Sequence, residues 1–394
     1  MRRRVSPAFA LMMLASSCAV AQDGIRPNAL MMRNPAISQN HIAFAYANDL
    51  YIVSRDGGMA APLASPPGPE AFPRFSPDGD AIVFVGNYEG GRDLYVIDLN
   101  PDGSAASLAR RITHHPAGEI PTHWFEDAQG QEKILFTASG LGGLTRTTQL
   151  YTVSPQGGLP EQLPLPYGAM GHMSPDGGTL AFTPHTRDFR TWKRYRGGMA
   201  TDIWLLDLDD FSSTRVTDWE GTDTQPMFIP GGDGRVVYYL SDNGPEHRRN
   251  IWKFNRQTGQ RSQVTRFDDV DVSFPSIGPG VNGRGEIVMQ VGHTFAILDL
   301  GTEQTRTIDI VVPGDRPTLR DQQVDFSDFM KAASLSPSGT RVVVEARGEL
   351  FSIPSEQGVT RRLTNTSGVA ERFPIWSPDR KMDRVSRRRS GAVG

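Results

Sequence analysis

The chain has 394 residues, with 41 Gly and 29 Pro, an ordinary 22% of charged residues and a formal net charge of −3. This balance excludes the strongly basic footprint of a nucleic-acid binder and the composition of a disordered chain. A single cysteine excludes a disulfide framework and a thiolate zinc site.

In chain order, the first feature is a leader. Arg2, Arg3 and Arg4 precede an apolar stretch from Ala8 to Ala15, and Ala19-Val20-Ala21 fits a small-x-small cleavage site. Residues 1–22 therefore read as a secretory signal peptide, cleaved near Ala21 and too short to span a bilayer, which places the mature protein in the periplasm. Its removal takes three arginines and no acid, moving the formal charge from −3 to −6. The cysteine, Cys18, lies inside it; Ala15 stands where a lipoprotein processing site prefers Leu, which tells against a lipid anchor.

From there one unit repeats. NDLYIVSRDGG (48–58), RDLYVIDLNPDG (92–103), TQLYTVSPQGG (148–158), TDIWLLDLDD (201–210), RNIWKFNRQTG (249–259), HTFAILDLG (293–301) and GELFSIPSEQG (348–358) recur about fifty residues apart. Each follows a strand such as DAIVFVGN (80–87) or TLAFTPH (179–185), these two introduced by a strand ending in Ser-Pro-Asp-Gly, which recurs as Ser-Pro-Ser-Gly in ASLSPSGTRVVV (333–344). Each precedes a short strand ending in Thr, as in ARRITHH (109–115) and TRVTDW (214–219). Four short strands per unit, joined by Gly/Pro/Asp turns, predict an all-β fold of propeller blades with WD40-like or TolB-like SPDG repeats. One such sheet cannot cover its own two apolar faces, so blades must stack around an axis.

A long connector, VVPGDRPTLRDQQVDFSDFMKA (311–332), separates the sixth unit from the seventh and marks a boundary. The reading is a six-bladed β-propeller over 30–313, a linker over 314–332, and, over 333–379, the first blade and the start of the second blade of an incomplete second propeller. A single seven-bladed ring is the alternative. After Trp376-Ser377-Pro378-Asp379 the repeat register is lost, and six basic residues fall between Arg380 and Gly394. That stretch reads as a basic tail without strands, and the abrupt loss of register as a truncated or frame-shifted chain.

LMMRNPAISQNHIAFAYANDLYIVSRDGG (30–58), RRITHHPAGE (110–119), FRTWKRYRGGMATDIWLLDL (189–208) and VTDWEGTDTQPMF (216–228) resemble the N-terminal part of tricorn-type serine proteases and their bacterial homologues. The resemblance runs from residue 30 to 379. It implies a six-bladed propeller followed by a seven-bladed one, then domains carrying the nucleophilic serine and its histidine; the propellers would filter or guide peptides. The segments that carry catalysis in that family have no counterpart here, so no catalytic residue is carried over.

The residues agree. There is no Gly-x-Ser-x-Gly elbow, His-Glu-x-x-His or Walker loop. No catalytic, cofactor or metal site is assigned. His114, His115 and His123 read as packed or turn-lining imidazoles in a loop between blades, and Asp268, Asp269 and Asp271 as a solvated turn rather than a calcium loop. One stretch stands out: RDFRTWKRYR (187–196), between the second and third strands of the fourth blade. Its Arg187, Arg190, Trp192, Lys193, Arg194, Tyr195 and Arg196 are candidate contacts for a peptide carboxylate or a partner protein. The competing reading has Phe189 and the other aromatics anchoring a solvated loop. The sequence thus predicts a non-catalytic propeller of an exported tricorn-like peptidase; the alternative is a self-sufficient TolB-like scaffold.

Overall fold

The structure is a computed structural model. It describes residues 31–64, 68–139, 147–186, 188–189, 193, 195–313, 325–366 and 369–378, with the backbone alone of 382–389; the leader read in residues 1–22 lies outside these. The chain separates into two compact units, one up to residue 314 and one from 315 onward.

The repeated turn phrase does what its residues dictate. Ser76 Oγ accepts the Ala81 N–H at 2.9 Å, and Gly79, at φ 82°, closes the turn by donating its N–H to the Ser76 carbonyl. Ser174 with Gly177 and Ser336 with Gly339 repeat the arrangement. Only glycine adopts that backbone without strain.

The strands joined by such turns form antiparallel four-stranded meanders. Sheet one is Arg33–Ile37, His41–Tyr46, Asp49–Ser54 and Ala61–Ala64. Five more of the same order follow in the first unit: sheet two (70–111), three (119–162), four (169–215), five (223–263) and six (272–308). The first strand of each sheet packs against the first strands of both neighbours, and that of sheet six against that of sheet one, so the first strands surround an axis. The fourth strands, such as Glu161–Gln162 and Ser213–Arg215, are exposed at the rim.

Packing follows from strand alternation. On His41–Tyr46, Ile42, Phe44 and Tyr46 face sheet six while Ala43 faces sheet two. On Ala81–Gly86, Ile82 and Phe84 face sheet one while Val83 and Val85 face sheet three. A strand buried on both sides reads as a continuous apolar run, which is why these segments carry no polar alternation.

The recurring threonine is a latch. Thr113, Thr217 and Thr265 each accept, through Oγ1, the N–H of Leu94, Ile203 and Ile251, in or just before the third strands, all at 2.9 Å. Each hydroxyl in turn donates to a side chain at the sheet end: Glu119, Asp202 and Asn250. Thr217 is buried. Thr217→Val keeps the shape but leaves the Ile203 N–H unpaired; it is expected to cost about 1–3 kcal/mol, whereas Thr217→Ser should cost less. Equal urea midpoints for wild type and the valine variant would remove the latch.

The second unit contains a short 3₁₀ turn, Ser327–Phe329, and a four-stranded sheet of Met330–Leu335, Arg341–Ala346, Glu349–Pro354 and Arg361–Arg362. Thr364 repeats the latch on Leu350. Val369–Trp376 then packs on that sheet, and Trp376 Nε1 donates to the Ser334 carbonyl at 2.9 Å. One expectation is corrected: the basic stretch after Asp379 holds a strand, Met382–Arg389, paired antiparallel with Val369–Trp376. Main-chain pairing to an open strand edge requires no apolar pattern, so the sequence carried no sign of it.

Candidate functional site

Each first strand contains a bulge, and the bulge decides which side chain meets the axis. Asn34, Phe72, Met170, Gln225 and Phe274 adopt φ between 46° and 56°, and each precedes Pro or Gly. Two positions later stands one equivalent residue per sheet, fixed by the ladder pairs Ala36↔Ala43, Arg74↔Val83, His123↔Leu135, His172↔Ala181, Met227↔Tyr238 and Ser276↔Val288. All but Ala36 line an axial cavity of about 420 Å³, together with Gln225, the turn residues Asp78 and Gly79, and Glu126 at the end of its strand.

Four of its larger polar side chains, Arg74, His123, His172 and Gln225, come from four successive sheets. Arg74 Nε donates to the Thr122 carbonyl at 3.0 Å and Nη1 to the Pro73 carbonyl at 2.7 Å. Burial without a nearby carboxylate pushes its guanidinium down to about 10. The His123 and His172 rings stack with centroids 3.5 Å apart. Burial above all depresses both imidazoles, followed for His123 by the neighbouring His172 and then Arg74, and for His172 by Arg74 against the opposing hydrogen bond to the Met173 carbonyl; His172 falls to about 3 and His123 well below its ordinary value, so both are neutral at pH 7. His123 Nδ1 accepts the Met173 N–H at 3.1 Å, which puts the ring proton on Nε2. The expectation of His123 in an inter-blade loop is corrected: it belongs to the strand Glu119–Glu126. His114 and His115 do lie between strands, with Ala117 N–H donating to His115 Nδ1.

At the opposite end of the axis, Phe189 packs on Phe72 (5.6 Å, edge-on) and Phe274 (6.1 Å, stacked). Phe189, in the stretch predicted to carry partner contacts, is thereby held by an aromatic cluster of sheets two and six. Arg187, Arg190, Trp192 and Arg194 lie outside the described residues. Lys193 Nζ sits 2.7 Å from Asp271, whose carboxylate also accepts the Arg249 N–H. Asp271 thus serves as the loop's ionic anchor, while Asp268 and Asp269 are exposed. Arg196 pairs with Glu220 at 3.0 Å and lies over the Trp219 ring; Tyr195 is half-buried at the foot of the loop. Next to Phe189, Asp188 accepts a hydrogen bond from Thr224 of sheet five at 2.8 Å.

Comparison with known proteins gives a consistent picture. A family model described as the tricorn protease N-terminal beta propeller domain matches residues 29–304. Tricorn protease homolog 1 of Streptomyces coelicolor is 26% identical over 338 residues, covering 84% of this chain and 30% of the relative. Putative tricorn protease homolog 2 of the same organism is 28% identical over 356 residues, covering 87% of this chain and 28% of the relative. The chain thus spans less than a third of the length of these relatives. A crystal structure of the tricorn protease superposes with a TM-score of 0.60 at 19% identity, over 88% of this chain and 33% of that one, a likeness of fold.

Proposed function

Because the chain belongs to the tricorn protease N-terminal propeller family, we propose that it is the non-catalytic, peptide- and protein-contacting part of an exported tricorn-like serine peptidase. The observation that carries this reading is the seat of Phe189, which belongs to the cationic, aromatic stretch, on Phe72 of sheet two and Phe274 of sheet six. A peptide moving along the axis meets Phe189 there. The proposed contacts are Arg187, Arg190, Trp192, Lys193, Arg194, Tyr195 and Arg196. Guanidinium groups pair bidentately with carboxylates, and aromatic side chains act as anchors.

A fluorescently labelled acidic hexapeptide is expected to bind the purified full chain, read by anisotropy, and to remain uncleaved. Alanine at Arg190, Arg194 and Arg196 together should weaken binding at least tenfold, since one charge-assisted hydrogen bond contributes about 1.5–3 kcal/mol. An affinity untouched by the triple substitution would remove the loop from the reading, and turnover of the peptide would contradict its non-catalytic part. Export rests on the leader read in residues 1–22; recovery of uncleaved protein from the cytoplasm alone would contradict it.

A further inference from the structure

The axial cavity contains a cation that the described chain leaves without a counter-charge. Arg74 spends Nε and Nη1 on two backbone carbonyls, which fix the guanidinium in the cavity wall and bring it no negative charge. No carboxylate among the described residues pairs with it. Arg74 is half-buried, and a charge partly withdrawn from water costs free energy unless something in the site answers it.

A second, independent observation lies across the cavity on sheet five. Gln225 is 5% exposed, lines the cavity, and its Nε2 makes no hydrogen bond. Buried amide donors are almost always paired, so this one marks a place for an acceptor. On sheet three, His123 lines the same cavity and carries Nε2–H as a third donor, its Nδ1 being occupied by the Met173 N–H. A metal ion would find the wrong polarity here: the stacked imidazole has spent a nitrogen lone pair on the backbone, and Arg74 repels a cation.

The geometry points to a carboxylate-binding site inside the propeller axis, with Arg74 supplying the charge and Gln225 Nε2 and His123 Nε2–H the neutral donors. One guanidinium with two neutral donors matches a monoanion with two oxygens, whereas a phosphate dianion calls for more than one cation. The cavity, about 420 Å³, falls within the 300–1,000 Å³ range typical of small-molecule sites, and Met227 gives it an apolar wall for the chain that bears the carboxylate. That carboxylate comes from a small organic acid or from the C-terminus of a short peptide. The inference goes beyond the peptide reading of the loop, because it stands on the cavity alone.

Titration calorimetry on the full chain tests it with three probes: sodium acetate, N-acetyl-trialanine with a free C-terminal carboxylate, and the same peptide as its C-terminal amide. The free acid is expected to bind at least tenfold more tightly than the amide. Binding of acetate as well marks a site open to small acids, and binding of the peptide acid alone marks a peptide terminus; either supports the site. Arg74→Met should weaken the free acid 10- to 100-fold. Gln225→Leu breaks no hydrogen bond of the described chain, so its fold is expected to survive, and it should weaken the same probe about fivefold. Equal affinity for acid and amide, no heat with either carboxylate, or full affinity in Gln225→Leu would overturn the assignment.

Discussion

Phe295→Ala is expected to destabilise the first unit by about 3–5 kcal/mol, read as a fall in the urea midpoint of the full chain. Phe295 is fully buried on Thr294–Asp299, and its ring meets Phe44 edge-on with centroids 5.6 Å apart. Around that pair Ile42, Tyr46 and Val53 of sheet one pack against Val288, Ile297 and Ile308 of sheet six. The position makes the loss serious. Every other pair of neighbouring sheets is joined by a short stretch of chain, so a cavity there leaves the sheets tethered. Sheets six and one have no such tether. Besides this core, their seam is held by a parallel two-residue ladder, Gly58–Met59 with Ile310–Val311, by one buried ion pair, and by Arg306 of sheet six, which donates to the Arg55 carbonyl and to exposed Asp56. Phe136→Ala, at the tethered seam between sheets two and three, removes a ring of the same kind and is the control. A shift at Phe295 below about 1 kcal/mol, or one much smaller than at Phe136, would show that the six sheets do not depend on this closure.

The architecture was open to reading from sequence because the fold repeats its chemistry. Leu94-Tyr95, Leu150-Tyr151 and Ile203-Trp204 mark third strands, Ser-Pro-Asp-Gly at 76–79 and 174–177 marks the turn before the second strand of sheets two and four, and the terminal threonine is recurrent because it satisfies a backbone N–H whatever the neighbours are. The axial cavity was hidden for the opposite reason. Ala36, Arg74, His123, His172, Met227 and Ser276 are equivalent in space and share no chemistry, so no pattern connects them. Their equivalence is set by the bulge, which falls at Phe72-Pro73, Gln225-Pro226 and Phe274-Pro275 but at Pro121-Thr122 in sheet three, where no residue takes positive φ. Without that register the sequence groups His123 with His114 and His115, its neighbours in the chain, instead of with His172, its neighbour in the ring stack. The loop at 187–196 was visible as a cluster of charge and aromatic rings. What Phe189 leans on was not, since Phe72 and Phe274 come from sheets remote in sequence.

The second large effect is expected at the ion pair of the same seam. Glu286, 4% exposed on Glu286–Val291 of sheet six, accepts hydrogen bonds from Arg55 Nε at 2.7 Å and from Arg55 Nη2. Arg55 follows the third strand of sheet one, and its side chain is only 15% exposed. The hydrogen bond and charge of Glu286 hold that guanidinium protonated more firmly than usual, against the opposing effect of burial. Glu286→Ala leaves a buried cation with no partner in its place and is expected to cost about 3–5 kcal/mol. Neighbouring Asp56, largely exposed, offers Arg55 a weak contact at 3.4 Å that solvent screens, so it does not replace the lost carboxylate. The cost belongs to the orphaned charge more than to the pair itself. Arg55→Met combined with Glu286→Leu, which removes both charges and keeps the volume, should therefore recover more than half of the loss, and the double-mutant cycle in urea measures that coupling. If the double variant is no more stable than Glu286→Ala, the seam depends on the geometry of the bidentate pair rather than on the avoidance of a buried charge, and closure of the six sheets rests on polar recognition as much as on the aromatic core.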